Sequence, residues 1–206
     1  ADRLKLVYLP NPNSPSGTML PPDQVGELAS RLTCPVLVDE AYVDFAETNC
    51  LELVRQHPNG LVSRTLSKSY GLAGLRFGFL VAQPEIIAEL NKVKDSYNCD
   101  ALSIAAATAA MNDQTWLAAN REKIIAGREA LTSGLHELGF SVADSSANFV
   151  FAIHPTAVAK ELFESLKSQG VLVRYMAYDR WPAGIRISVG TPEQNELVLE
   201  MLGGLV

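Results

Sequence analysis

The sequence predicts an α/β protein, on three observations. Short apolar runs of strand length alternate with amphipathic helical segments. Prolines stand where the helical segments open, at Pro21-Pro22, Pro84 and Pro192. Val36-Leu37-Val38 is apolar throughout rather than alternating, as in a strand covered on both faces.

The elements follow in order. Leu6-Val7-Tyr8-Leu9 reads as a strand running into the turn-rich segment 10–17. After Pro22, the residues Val25, Leu28, Ala29 and Leu32 have the spacing of one helix face. Strands are expected at 36–38, 61–65 and 77–82, and Pro84 opens a helix carrying Ile86, Ile87, Leu90 and Val93 on one side. The longest helical pattern spans 115–139. Leu117, Ile124, Leu131 and Leu138 recur in it every seven residues, and Gly139 supplies a stop. Beyond it the order becomes strand 148–153, helix 157–168, strands 171–174 and 185–189, and helix 192–202. Thr191-Pro192-Glu193-Gln194 fits a capping box for the last helix. The change of pattern places a domain boundary at the start of the long helix, dividing the chain into 1–114 and 115–206.

Composition excludes several classes. The chain has 206 residues, with 17 Lys plus Arg against 23 Asp plus Glu, a net charge of −6. This acidic balance argues against a nucleic-acid partner. No apolar run approaches the ~18–20 residues that span a bilayer, and Ala1-Asp2-Arg3-Leu4-Lys5 lacks a signal-peptide core. Cys34, Cys50 and Cys99 are odd in number and widely separated, which favours a reducing, cytoplasmic setting over a disulfide framework. His57, His136 and His154 are equally scattered, so no metal site is expected.

Three segments that follow predicted strands carry chemistry, at the strand ends where open parallel sheets gather ligands. The first, Asn11-Pro12-Asn13-Ser14-Pro15-Ser16-Gly17, is by itself a turn-rich loop. The second, Asp39-Glu40-Ala41-Tyr42, places a carboxylate at the end of a buried strand with a tyrosine three residues on. Asp44 is expected to be a bystander. The third runs from Arg64 to Gly78 and sets Lys68 among hydroxyls and glycines, with Arg76 eight residues later. The order of a phosphate-binding P-loop is absent. Small residues let the backbone approach a ligand, and a lysine in a dry, crowded place loses its proton readily and becomes a nucleophile. Alone, Lys68 reads as a surface lysine; with Asp39, Tyr42 and Arg76 it reads as part of a ligand site.

Together these segments resemble the cofactor site of fold-type I pyridoxal 5'-phosphate (PLP) aminotransferases, and more narrowly the histidinol-phosphate aminotransferase group. The counterparts are the Asn-Pro-x-x-Pro-x-Gly loop at Asn11, the Asp-Glu-Ala-Tyr segment at Asp39 and the Ser-Lys-x-x-x-x-x-Gly-x-Arg stretch at Ser67. Val171-Leu172-Val173-Arg174-Tyr175 and the stretch from Ile185 to Glu193 add to the likeness, which covers essentially the whole chain. The fold it implies is part of a large domain at 1–114, a mostly parallel sheet with helices on both faces. An interdomain helix and a small C-terminal α/β domain would follow at 115–206.

The resemblance implies roles residue by residue. Lys68 would carry PLP as a Schiff base and move the substrate's α-proton. Asp39 would pair with the pyridine nitrogen, keeping the ring an electron sink. Tyr42 would donate to the phenolic oxygen. Ser67 and Arg76, with Thr65 as a weaker candidate, would grip the phosphate. Arg186 would clamp a carboxylate, with Arg174 as a second substrate-side cation; for either, the alternative is a domain-interface ion pair. Ser14 stands where many relatives have an asparagine that contacts the phenolic oxygen, so either Ser14 or Asn13 would make that contact.

The activity implied is amino transfer between histidinol phosphate and 2-oxoglutarate in histidine biosynthesis, by a cytoplasmic homodimer. The rivals are an aromatic aminotransferase or a threonine-phosphate decarboxylase of the same fold, or a non-catalytic scaffold. Relatives begin well upstream of this first residue, so the chain is expected to be a C-terminal portion. It would lack the N-terminal arm, a phosphate-binding glycine loop, the aromatic that stacks on the ring and a partner-subunit tyrosine, and alone it would be inactive.

Overall fold

The computed structural model describes residues 4–206, so the first three residues of the N-terminal stretch considered above lie outside the described residues. The chain divides into two compact units. The first holds the chain up to Pro12 together with Met19–Asn120, and the second holds Asn13–Thr18 and Arg121–Val206.

The first unit is built on a four-stranded sheet, in the order β1 (Val7–Pro10), β2 (Val36–Asp39), β3 (Gly60–Thr65) and β4 (Gly78–Val81). The first three strands are parallel and β4 joins antiparallel. This matches the mostly parallel sheet expected. Helix α1 (Pro22–Ser30) and the short α2 (Leu51–Gln56) return the chain between parallel strands, as the geometry requires. Val25 and Ala29 of α1 and Leu53 and Val54 of α2 share one buried cluster with Val36, Val38 and Val62. Because strand side chains alternate, Tyr8, Leu37 and Asp39 stand on the opposite face.

Helix α3 (Pro84–Val93) begins at its proline as expected. Helix α4 (Ala101–Asn112) is an addition to the sequence reading. Its alanine-rich sequence has high helix propensity but no apolar stripe to reveal it. Asp100 caps it, accepting from the Leu102 and Ser103 N–H groups, each at 2.9 Å. The division between the units falls within α5 (Gln114–Glu137), between Asn120 and Arg121.

The second unit has an antiparallel sheet, in the order β5 (Ser141–Val142), β6 (Phe149–Ile153), β8 (Trp181–Ser188) and β7 (Arg174–Tyr178). Leu131 and Leu135 of α5, Leu162 and Leu166 of α6 (Ala159–Ser168), and Val198 and Leu202 of α7 (Pro192–Gly203) pack on Val150, Ala152, Ile185 and Ile187. Arg186 and its strand neighbours Gly184 and Ser188 take the other face. The Thr191–Gln194 capping box forms as expected, and Gly139 takes the left-handed conformation (φ 84°) that ends α5.

The strand expected at 171–174 lies elsewhere. Val171 and Val173 pack against the core, but pairing starts only at Arg174 and runs through a tight hairpin to β8. The hairpin turns on Asp179-Arg180, with Arg180 left-handed (φ 65°), so no glycine or asparagine announced it. Pro182 sits in the end of β8 that extends beyond its pairing with β6, where a missing N–H is tolerated.

The second unit's core predicts a contrast between two leucines. Leu166→Ala, at a fully buried position, should cost about 2–5 kcal/mol. Leu172→Ala, at a position 79% exposed, should cost under about 0.5 kcal/mol. Urea denaturation followed by circular dichroism checks the difference.

Candidate active site

In the first unit the candidate residues lie on the loops that leave the carboxyl ends of β2 and β3. Glu40 continues the β2 ladder by donating its N–H to Ser63 O at 2.9 Å, and its side chain is wholly buried. Arg64 donates Nε and Nη2 to Glu40 Oε2 at 2.9 and 2.7 Å, while the Cys50 N–H is bound by Oε1. A buried carboxylate needs such partners to remain charged. Cys50 lies beside it, with Asn11 Nδ2 donating to Sγ at 3.7 Å. Burial, and then the charge of Glu40, push the Cys50 thiol up to about 11, so it is no nucleophile at neutral pH. Asn11 itself is structural, binding Leu20 through both backbone groups at 2.7 and 3.0 Å.

On the opposite face from that ion pair stands Asp39. Its Oδ1 accepts from the Ala41 N–H at 3.0 Å, and its Oδ2 accepts from the Tyr8 hydroxyl. Tyr42 follows on the same loop, and its ring centre lies 5.5 Å from Lys68 Nζ. Lys68 and Tyr42 are thus brought together, as is the hydroxyl pair at the end of β3. Thr65 Oγ1 donates to Ser67 Oγ at 2.9 Å and accepts from the Ser67 N–H at 3.1 Å. Ser69 donates to the Asp44 carboxylate, which ties the residue after Lys68 to the turn after Tyr42.

Two features differ from the sequence reading. Lys68 is exposed rather than dry, because the serines and glycines around it are too small to cover a lysine. Arg76 is also exposed, in a left-handed conformation (φ 54°), and donates to Ala73 O at 3.0 Å rather than to another candidate residue.

In the second unit, Arg186 Nη1 donates to Ser14 Oγ at 2.8 Å, and its guanidinium lies 4.9 Å from the Phe149 ring centre. Arg186 Nε is buried with no acceptor among the described residues. Such a donor has capacity for a further acceptor. Arg174 pairs directly with Arg186 across the β7–β8 ladder. Like charges set opposite each other disfavour the sheet unless an anion lies against them. The Asn13 amide donates to Ser16 Oγ at 2.7 Å, so both loop candidates are already engaged, Asn13 within the loop and Ser14 by Arg186. Gly17 (φ 78°) passes so close to Ser145 that a side-chain Cβ there would lie 2.2 Å from its hydroxyl.

In the first unit the donor set is therefore a carboxylate held at both oxygens, a lysine amine beside a phenol, and paired hydroxyls, which suits a ligand with a reactive carbonyl and a basic ring nitrogen. Among the described residues no cluster of His, Cys, Asp and Glu could hold a metal, and no helix is long and apolar enough to cross a membrane.

The sequence model of the aminotransferase class I and II family matches residues 1–202. The chain belongs to this family. Histidinol-phosphate aminotransferase of Rhodopirellula baltica is 57% identical over 199 residues, which is 97% of this chain and 55% of that protein. Histidinol-phosphate aminotransferase 1 of Nostoc sp. is 45% identical over 201 residues, covering 98% of this chain and 57% of its own length. The chain thus spans little more than half the length of these relatives. Among solved structures, histidinol-phosphate aminotransferase from Sinorhizobium meliloti, in complex with pyridoxal 5'-phosphate, superposes with a TM-score of 0.89. It is 29% identical, over 98% of this chain and 58% of its own. The fold is thereby that of the fold-type I aminotransferases, as the sequence led us to expect.

In this aminotransferase-family chain the buried ion pair gives a stability prediction. Arg64→Met leaves Glu40 charged and unpaired and should cost about 3–5 kcal/mol. The double variant Glu40→Leu/Arg64→Met should recover part of that loss. Urea midpoints of the two variants and the parent make the comparison.

Proposed function

We propose that this chain is part of a PLP-dependent histidinol-phosphate aminotransferase, exchanging an amino group between histidinol phosphate and 2-oxoglutarate in histidine biosynthesis. The protein acts in this reading as a cytoplasmic homodimer, with 1–114 in the cofactor-binding large domain and 115–206 as interdomain helix and small domain. The observation that carries the reading is the 57% identity to the Rhodopirellula baltica enzyme along nearly the entire chain.

The residues fit PLP. When bound, that cofactor supplies an electron sink that stabilises negative charge at the substrate α-carbon. Lys68, whose amine lies 5.5 Å from the Tyr42 ring centre, would hold its aldehyde carbon and carry the α-proton between substrate positions. Tyr42 donates to the phenolic oxygen. Asp39, fixed at both oxygens, keeps the ring nitrogen protonated. Ser67 and Arg76 bind the phosphate, with Thr65 as the weaker candidate. Arg186, with an unused buried N–H, binds the carboxylate of the glutamate/2-oxoglutarate pair, and Arg174 adds a second cation for the phosphate of histidinol phosphate. Ser14 supports Arg186, and Asn13 holds the loop that presents Ser14.

The test is an assay of the full-length gene product with histidinol phosphate and 2-oxoglutarate, alongside phenylalanine, tyrosine and threonine phosphate. Preferred turnover of histidinol phosphate, with glutamate formed, is the expected result; release of carbon dioxide from threonine phosphate would replace the reading by a decarboxylase. In Asp39→Ala the rate should fall by about two to four orders of magnitude, a loss of ~3–5 kcal/mol of transition-state stabilisation. Lys68→Ala should be inactive. Arg186→Ala should slow both half-reactions.

A further inference from the structure

Tyr8 has no role in the reading above, yet it makes a direct side-chain hydrogen bond to Asp39. The sheet explains how two residues 31 apart meet. Tyr8 pairs with Leu37 across the parallel β1–β2 ladder, and Asp39 is two residues beyond Leu37, so both side chains stand on the same face one step apart. The Tyr8 hydroxyl donates to Oδ2, and the Ala41 N–H, 3.0 Å away, donates to Oδ1. Each carboxylate oxygen can accept a further bond, and two donors on different oxygens fix the plane in which that further bond must lie. Tyr8 is 55% exposed, so the ring is not there to fill a core.

We infer that Tyr8 is a positioning residue, whose hydroxyl orients the Asp39 carboxylate for the ring nitrogen of the cofactor. This rests on the PLP reading of the site. The hydrogen bond to Asp39, then burial and the carboxylate's charge, push the Tyr8 phenol up to about 12. It therefore stays protonated, and remains a donor, throughout the neutral range. A carboxylate held by only one donor can rotate, and it then meets a pyridinium less well.

The experiment uses the full-length holoenzyme and compares Tyr8→Phe with Asp39→Ala and the parent. Tyr8→Phe keeps the ring at an exposed position of β1, and circular dichroism verifies its fold. The expected result is a rise of about tenfold in the PLP dissociation constant and a fall of about tenfold in kcat, with KM for the amino donor within about twofold. With PLP labelled with ¹⁵N in the ring, the nitrogen resonance should move toward neutral pyridine in Tyr8→Phe and further in Asp39→Ala. A parental resonance and dissociation constant in Tyr8→Phe would overturn the inference. If Asp39→Ala also left the resonance unmoved, the PLP reading of Asp39 would fall with it, which separates the two failures. A second measurement needs no variant of Tyr8. Ultraviolet titration of the parent should show a tyrosine ionising near 12 that shifts toward 10 in Asp39→Asn. Absence of such a tyrosine would equally overturn the inference.

Discussion

The ion pair between Glu40 and Arg64 is the constraint on which the candidate site depends. A wholly buried carboxylate is stable only when its oxygens are bound, and here two guanidinium N–H groups take one oxygen while a backbone N–H takes the other. The partners come from neighbouring parallel strands, so the pair holds the carboxyl ends of β2 and β3 in a single register. Strand alternation does the rest. With Glu40 and Arg64 turned toward the buried cluster, Asp39, Ser63 and Thr65 turn to the other face. The loops that leave these ends then bring Tyr42 and Lys68 together and tie Ser69 to Asp44.

A second constraint operates in the other unit, where Arg174 and Arg186 face each other across an antiparallel ladder. Two guanidinium groups so placed are compatible with a stable sheet when something offsets their charge. The Phe149 ring and the Ser14 hydroxyl do so for Arg186 in part, and its buried Nε retains capacity for an acceptor.

What could be read from the sequence follows the physics of each element. Val36-Leu37-Val38 declares a covered strand because its apolar run is unbroken, and α1, α3 and α7 declare their starts through proline. Helix α4 stayed hidden because alanine favours a helix without marking a face. The β7–β8 hairpin stayed hidden because its turn is Asp179-Arg180 and its second strand contains Pro182. In the site, Lys68, Asp39 and Tyr42 stood out because reactive side chains sit at strand ends among small residues. Tyr8, Glu40 and Arg64 did not. A tyrosine in a strand looks like ordinary β propensity, and Glu40 and Arg64 show their meaning only when parallel pairing sets them side by side.

The central claim is that Lys68 is the residue that holds the cofactor carbonyl. Reduction of the PLP-loaded full-length protein with borohydride, followed by peptide mapping with mass spectrometry, tests it most directly. The account predicts a single pyridoxyl adduct, on the peptide containing Lys68. An adduct on Lys92 or Lys94 instead, with Lys68 unmodified, would contradict it.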